Sequence, residues 1–102
     1  MRELFSWGEA KNFMAEAPFA LEIYGRNCAP CVAMAKNLDQ ASKNFPSLKL
    51  AKIEVSKVPE AFLIYNNIKS VPFCIYHNGI NKYESLGLRT VSQIEELFKE
   101  GE

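Results

Sequence analysis

The stretch Phe19–Tyr24 reads Phe-Ala-Leu-Glu-Ile-Tyr, a near-continuous apolar run with one acid inside it. A run of strand length without polar alternation fits a central strand covered on both faces. Such a strand needs a layer packed on each side of its sheet, which directs the chain toward an α/β architecture.

The remaining sequence supplies strand and helix signals in alternation. Glu3–Phe5 is a short, weakly signalled first strand. Ser6, with Glu9 three residues on, forms a capping box for a helix to about Glu16. Trp7, Phe13 and Met14 supply its buried side, and Pro18 stops it. After the apolar run, Gly25-Arg26-Asn27 makes a turn. Asn27 is a good N-cap for a helix that begins at Cys28 and carries Ala35, Leu38 and Phe45 before Pro46. Leu48–Val55 repeats the buried-strand pattern with Lys52 inside it. Pro59 starts a helix with Phe62, Tyr65 and Ile68 on one stripe. Pro72–His77 reads as a strand, Asn78-Gly79 as a type I′ hairpin turn, and Asn81–Leu86 as the return strand ended by Gly87. Thr90 and Gln93 form a capping box for a last helix with Val91, Ile94, Leu97 and Phe98 apolar. The order is β-α-β-α-β-α-β-β-α. Helical connections make the first three strands mutually parallel, and the hairpin adds an antiparallel strand at one edge.

Bulk properties narrow the function. With 102 residues, the chain suits a single domain, 1–102, whose core forms without staples. Twelve basic residues balance twelve acidic ones, so no basic excess marks a nucleic-acid footprint. There is no polybasic or acidic run, and no apolar stretch approaches the roughly 20 residues needed to span a bilayer. Acidic residues interrupt the N-terminal segment and no apolar signal-peptide core follows, so a cytoplasmic protein is expected.

The three cysteines are Cys28, Cys31 and Cys74. This low, odd count does not build a disulfide framework. A structural zinc site normally takes four ligands. The only candidates beyond the C-x-x-C pair are Cys74 and His77, both in one short strand, so zinc is the weaker reading. Cys74 alternates with Phe73 and Ile75 and reads as packing, while His77 reads as a solvated hairpin residue. Cys28 falls where a buried strand turns into a helix. Free N–H groups and a partial positive charge at a helix start favour thiolate over thiol. Cys31 lies almost one turn further in, more buried and less ionised. This asymmetry fits dithiol–disulfide exchange, with Cys28 attacking and Cys31 resolving the mixed disulfide. Glu22 is an acid inside an apolar strand, where burial raises its pKa and suits it to take and return the Cys31 proton. Its bland reading is an exposed residue near a strand end.

Several segments together resemble the thioredoxin family: Ala20-Leu21-Glu22-Ile23-Tyr24, Cys28-Ala29-Pro30-Cys31, Leu50-Ala51-Lys52-Ile53, Ser70-Val71-Pro72, Gly79 and Gly87. They follow the family's order and spacing over nearly the whole chain. The resemblance implies a thioredoxin fold, a central mixed sheet of about five strands flanked by about four helices. It implies a thiol–disulfide oxidoreductase with Cys28, Cys31, Glu22 and Lys52 as catalytic residues, Lys52 pairing with Glu22. It further implies a cis Val71–Pro72 peptide facing the cysteines, with Val71 backbone groups free to pair with an extended substrate. A trans proline starting a strand is the alternative on residue grounds alone. The substrate surface so implied comprises Asn27, Ala29, Pro30, Val71, Pro72 and Gly87.

The chain also departs from the family pattern. Asn27 stands where tryptophan usually precedes the first cysteine, Ala29 replaces the glycine of C-G-P-C, and Glu22 replaces the usual aspartate. The surface beside Cys28 is therefore more polar, and a narrower partner set is expected. Pro30 before the second cysteine matches thioredoxins rather than glutaredoxins, and no histidine lies between the cysteines as in oxidising relatives. A monomeric protein disulfide reductase is the expected function, fed by a thioredoxin reductase-type donor and needing no organic cofactor or metal. A disulfide oxidase or isomerase, and a thioredoxin-fold adaptor with little redox activity, are the rivals.

Overall fold

The computed structural model describes residues 1–101. Its elements are β1 (Arg2–Leu4), α1 (Trp7–Phe13), β2 (Phe19–Tyr24), α2 (Ala29–Ser42), β3 (Lys49–Glu54), a 3-10 turn (Val55–Lys57), α3 (Glu60–Tyr65), β4 (Phe73–His77), β5 (Lys82–Leu86) and α4 (Val91–Lys99). Among the described residues, five strands form one mixed sheet in the order β1-β3-β2-β4-β5. β2 lies at its centre, as its apolar run demands.

Strand alternation divides the core between the two faces of the sheet. Phe19, Leu21 and Ile23 of β2 pack in one cluster with Leu4, Ala10, Phe13, Ile53 and Ile75. Ala20 packs in the other with Met34, Leu38, Cys74, Tyr76, Ile94 and Phe98, beneath α2 and α4. Each fully buried Leu, Ile or Phe side chain contributes about 1.5–3 kcal/mol relative to exposure.

β1, β2 and β3 are mutually parallel. The expected position of the antiparallel strand is corrected. It is β4, inside the sheet and antiparallel to β2, whereas the edge strand β5 runs antiparallel to β4 and so parallel to β2. The connection before β4, residues 55–72, holds the 3-10 turn, the short α3 and a non-helical stretch up to Pro72. It returns the chain to the end where β2 leaves, with Phe73 opposite Ile23.

Three local expectations are also revised. The helix after Pro59 ends at Tyr65, so Tyr65 is exposed while Ile68 is buried beyond the helix, past Asn67 at φ 55°. α2 ends at Ser42, short of Phe45. The hairpin loop spans residues 78–81 rather than two, since His77 pairs with Lys82 and only Gly79 of Asn78-Gly79 has positive φ. The buried Asn78 side chain organises it: Oδ1 accepts from the backbone N–H groups of Ile80 and Asn81, both at 2.8 Å. Its Nδ2 donates to the Leu97 carbonyl and to Glu100 Oε1, tying the hairpin to the end of α4. The capping box of Thr90 and Gln93 is present at the start of α4.

Candidate active site

Cys28 and Cys31 are joined by a disulfide at the start of α2, with Cα atoms 5.2 Å apart. The expected cap is corrected. Cys28, not Asn27, is the N-cap, in an extended conformation, and its Sγ accepts from the Cys31 N–H at 3.2 Å. Asn27 instead adopts φ 51°, a left-handed conformation that asparagine tolerates better than most residues. Its backbone turns the chain from β2 into the cap, so the Cys31 N–H meets the Cys28 sulfur rather than an Asn27 amide oxygen. Ala29 and Pro30 open the helix, where proline loses no intrahelical hydrogen bond. Cys28 is half-buried and Cys31 is 3% exposed.

Glu22, Asn27, Cys28, Ala29, Cys31 and Lys52 line an open groove of about 840 Å³ beside the disulfide. Glu22 is fully buried, and neither carboxylate oxygen has a hydrogen-bond partner. Desolvation raises its pKa from 4.5 to about 7, against a smaller opposing pull from Lys52. The implied Glu22–Lys52 ion pair is absent. The two residues are partners in the β2–β3 register, but the Lys52 ammonium lies 4.0 Å from Glu3 and 5.0 Å above the Tyr24 ring. Glu3 on β1 competes because it is half-exposed, and an ion pair there avoids desolvating the ammonium. The Tyr24 hydroxyl donates to the other oxygen of Glu3 at 2.8 Å, completing the cluster.

Pro30, Val71, Pro72 and Gly87 lie outside the groove lining. Val71–Pro72 is cis, as is Ala17–Pro18. The Gly87 N–H donates to the Pro72 carbonyl at 2.8 Å, joining these two segments. Gly25 brings them to the cysteine turn, since a Cβ there would stand 3.1 Å from Val71 Cγ2. Sequence reasoning treats Gly25 only as a turn residue. Its position immediately after a buried strand is the available signal for close backbone approach. Arg26 and Lys36, also lining the groove, are missed because charged residues on a turn and an exposed helix face carry no pattern of their own.

Cys74 is buried on β4, directly opposite Glu22 in the antiparallel register. Burial, reinforced by the Glu22 charge, pushes its pKa up to about 12, so it remains a thiol.

This arrangement joins a half-buried sulfur, a buried sulfur and a buried acid beneath one helix start. A family model described as thioredoxin matches residues 9–100. The chain belongs to the thioredoxin family. Thiol–disulfide oxidoreductase chemistry and protein disulfide substrates follow from that membership. The thioredoxin of Mycoplasma genitalium is 24% identical over 87 residues, covering 84% of each chain. The thioredoxin fold is shared with Fasciola hepatica thioredoxin at a TM-score of 0.76 and 16% identity, over the whole of both chains. The oxidised thioredoxin of Plasmodium falciparum aligns at a TM-score of 0.75 and 22% identity, over 98% of this chain and 96% of that one. Among the described residues, no helix is long and apolar enough to cross a membrane, and no group of three or more His, Cys, Asp or Glu side chains is arranged to hold a metal ion.

Proposed function

We propose that this thioredoxin-family chain is a protein disulfide reductase in which Cys28 attacks and Cys31 resolves. The observation that carries the reading is the inequality of the two sulfurs: Cys28 is reachable at the helix cap, while Cys31 is buried above Glu22. In the reduced protein, the N–H groups and partial positive charge of the helix start favour a Cys28 thiolate. That thiolate attacks one sulfur of a substrate disulfide, and the other substrate sulfur leaves as thiolate. Glu22, ionised, takes the Cys31 proton. The Cys31 thiolate then attacks Cys28 Sγ, expels the second substrate thiolate and regenerates the Cys28–Cys31 disulfide. Lys52 assists by favouring the ionised form of Glu22 through space.

Asn27, Ala29, Pro30, Val71, Pro72 and Gly87 form the substrate surface in this reading, with an extended substrate segment pairing along Val71. Two electrons from a thioredoxin reductase-type donor restore the dithiol. Reduction as the net direction calls for a reducing compartment, which makes the cytoplasm the site of action.

Insulin reduction with dithiothreitol tests the reading. Wild-type chain accelerates precipitation of the insulin B chain, and Cys28→Ser returns the rate to background. Equal rates with and without the wild-type chain overturn it. Equilibration against glutathione tests direction, and a potential more oxidising than the cytosolic pool overturns the reductase assignment.

A further inference from the structure

Glu22 has two register partners, Lys52 on β3 and Cys74 on β4. Lys52 is engaged with Glu3 and Tyr24. Cys74 stands on the same face as Glu22, since it packs with Ala20, two residues before Glu22 on β2. Directly opposed residues of an antiparallel pair have Cβ atoms about 4.5–5.5 Å apart. Glu22 and Cys74 are both wholly buried, and Glu22 lacks a donor on either oxygen. Cys74 can supply one, because a buried thiol keeps its proton and is a weak donor. Two residues further along β4, the Tyr76 hydroxyl is hydrogen-bonded to Ser85 Oγ at 2.7 Å. Strand β4 therefore presents Glu22 with a proton donor that does not itself ionise during turnover.

We infer that Cys74 is a positioning residue for Glu22: its thiol turns to donate to the carboxylate when Glu22 ionises, and so sets the proton affinity of that acid. The inference deepens the proposed mechanism and rests on Glu22 acting as the proton acceptor for Cys31. The other titratable or charged groups lining the groove with Glu22 are Lys52 from β3, Tyr24 on its own strand, Arg26 in the turn after it, Cys28 at the cap of α2, and Cys31 and Lys36 within α2, while Tyr76 from β4 and Arg89 ahead of α4 bear on Cys74. Changing Cys74 alone leaves every groove-lining group in place.

The test is a carboxyl NMR titration of Glu22 in the oxidised full chain, for wild type, Cys74→Ser and Cys74→Val. Serine is a stronger donor of similar size, and valine fills the space without one. Proton affinity is expected to fall about threefold in Cys74→Ser and to rise about threefold in Cys74→Val, opposite shifts of about half a pH unit. The pH profile of mixed-disulfide resolution moves with it. Shifts of the same sign in both variants, or no shift in either, overturn the inference, because loss of packing has no reason to act with opposite sign. Cys74→Ala replaces Cys74→Val if the latter does not fold, with the same expectation. Glu22→Gln separates the two readings. If it turns over at the wild-type rate while Cys74 variants still move the Glu22 titration, the mechanistic role of Glu22 fails and its coupling to Cys74 stands.

Discussion

Two buried polar side chains lie at opposite ends of the sheet, and they are treated in opposite ways. At the hairpin end, Asn78 has its amide oxygen and nitrogen fully engaged, with the loop backbone, the Leu97 carbonyl and Glu100. At the disulfide end, Glu22 has no partner on either oxygen. Asn78 follows the general rule that buried polar groups are satisfied. Glu22 breaks it, beneath the one disulfide among the described residues. An unsatisfied acid is held there by the surrounding sheet, and its cost is borne by the rest of the fold. The difference separates a polar residue retained for structure from one retained for chemistry.

The largest expected effect is at Glu22. Its folded pKa of about 7 lies above the ordinary 4.5, so between these values the folded chain holds a proton that the unfolded chain has lost. Stability therefore falls as pH rises from about 4.5 to about 7 and is flat beyond. Glu22→Gln mimics the protonated acid, and should gain about 3 kcal/mol above pH 7 but nothing at pH 4. Its disulfide turnover should fall about 100-fold at the same time. Urea unfolding at the two pH values, alongside insulin reduction, checks both. A loss of stability at pH 8 would erase the contrast between the two ends.

Asn78→Ala comes next, with an expected loss of about 2 kcal/mol, because it strands the N–H groups of Ile80 and Asn81 and the Leu97 carbonyl. Turnover should hold at the wild-type value, and a large drop would show that the hairpin end serves the chemistry too. The smallest effect is expected at Thr90. Its hydroxyl accepts from the Gln93 N–H at 3.1 Å, and Thr90→Ala should cost about 1 kcal/mol in thermal or urea unfolding without changing activity.

Local pattern carries the element order because each signal is short-range. The apolar run at Phe19–Tyr24, the capping box at Thr90 and the strand-to-helix step at Cys28 are each legible within a few residues. Features set by distant chain are not. Asn78 resembles a two-residue turn until its amide meets Leu97 on α4. Lys52 reads as a partner of Glu22 until Glu3, brought alongside by β1, takes its ammonium. The reversed direction of β4 depends on how far the chain travels between Glu54 and Phe73, a length that hydrophobic pattern does not encode. At the site, the cysteines and the acid are visible from their positions, while the facing of Cys74 toward Glu22 emerges only from the β2–β4 register.

The Cys31 N–H, shared between the Cys28 carbonyl at 3.1 Å and Cys28 Sγ at 3.2 Å, gives the chain a built-in gauge. In the oxidised form that sulfur is a neutral acceptor, shared between two bonds. After reduction it carries the negative charge of a thiolate, and a hydrogen bond to an ionised acceptor is about twice as strong as a neutral one. The chemical shift and exchange rate of this single amide proton therefore track the redox poise of the molecule. One backbone resonance can follow a population of this protein through its cycle without a label, a reporter thiol or a coupled enzyme.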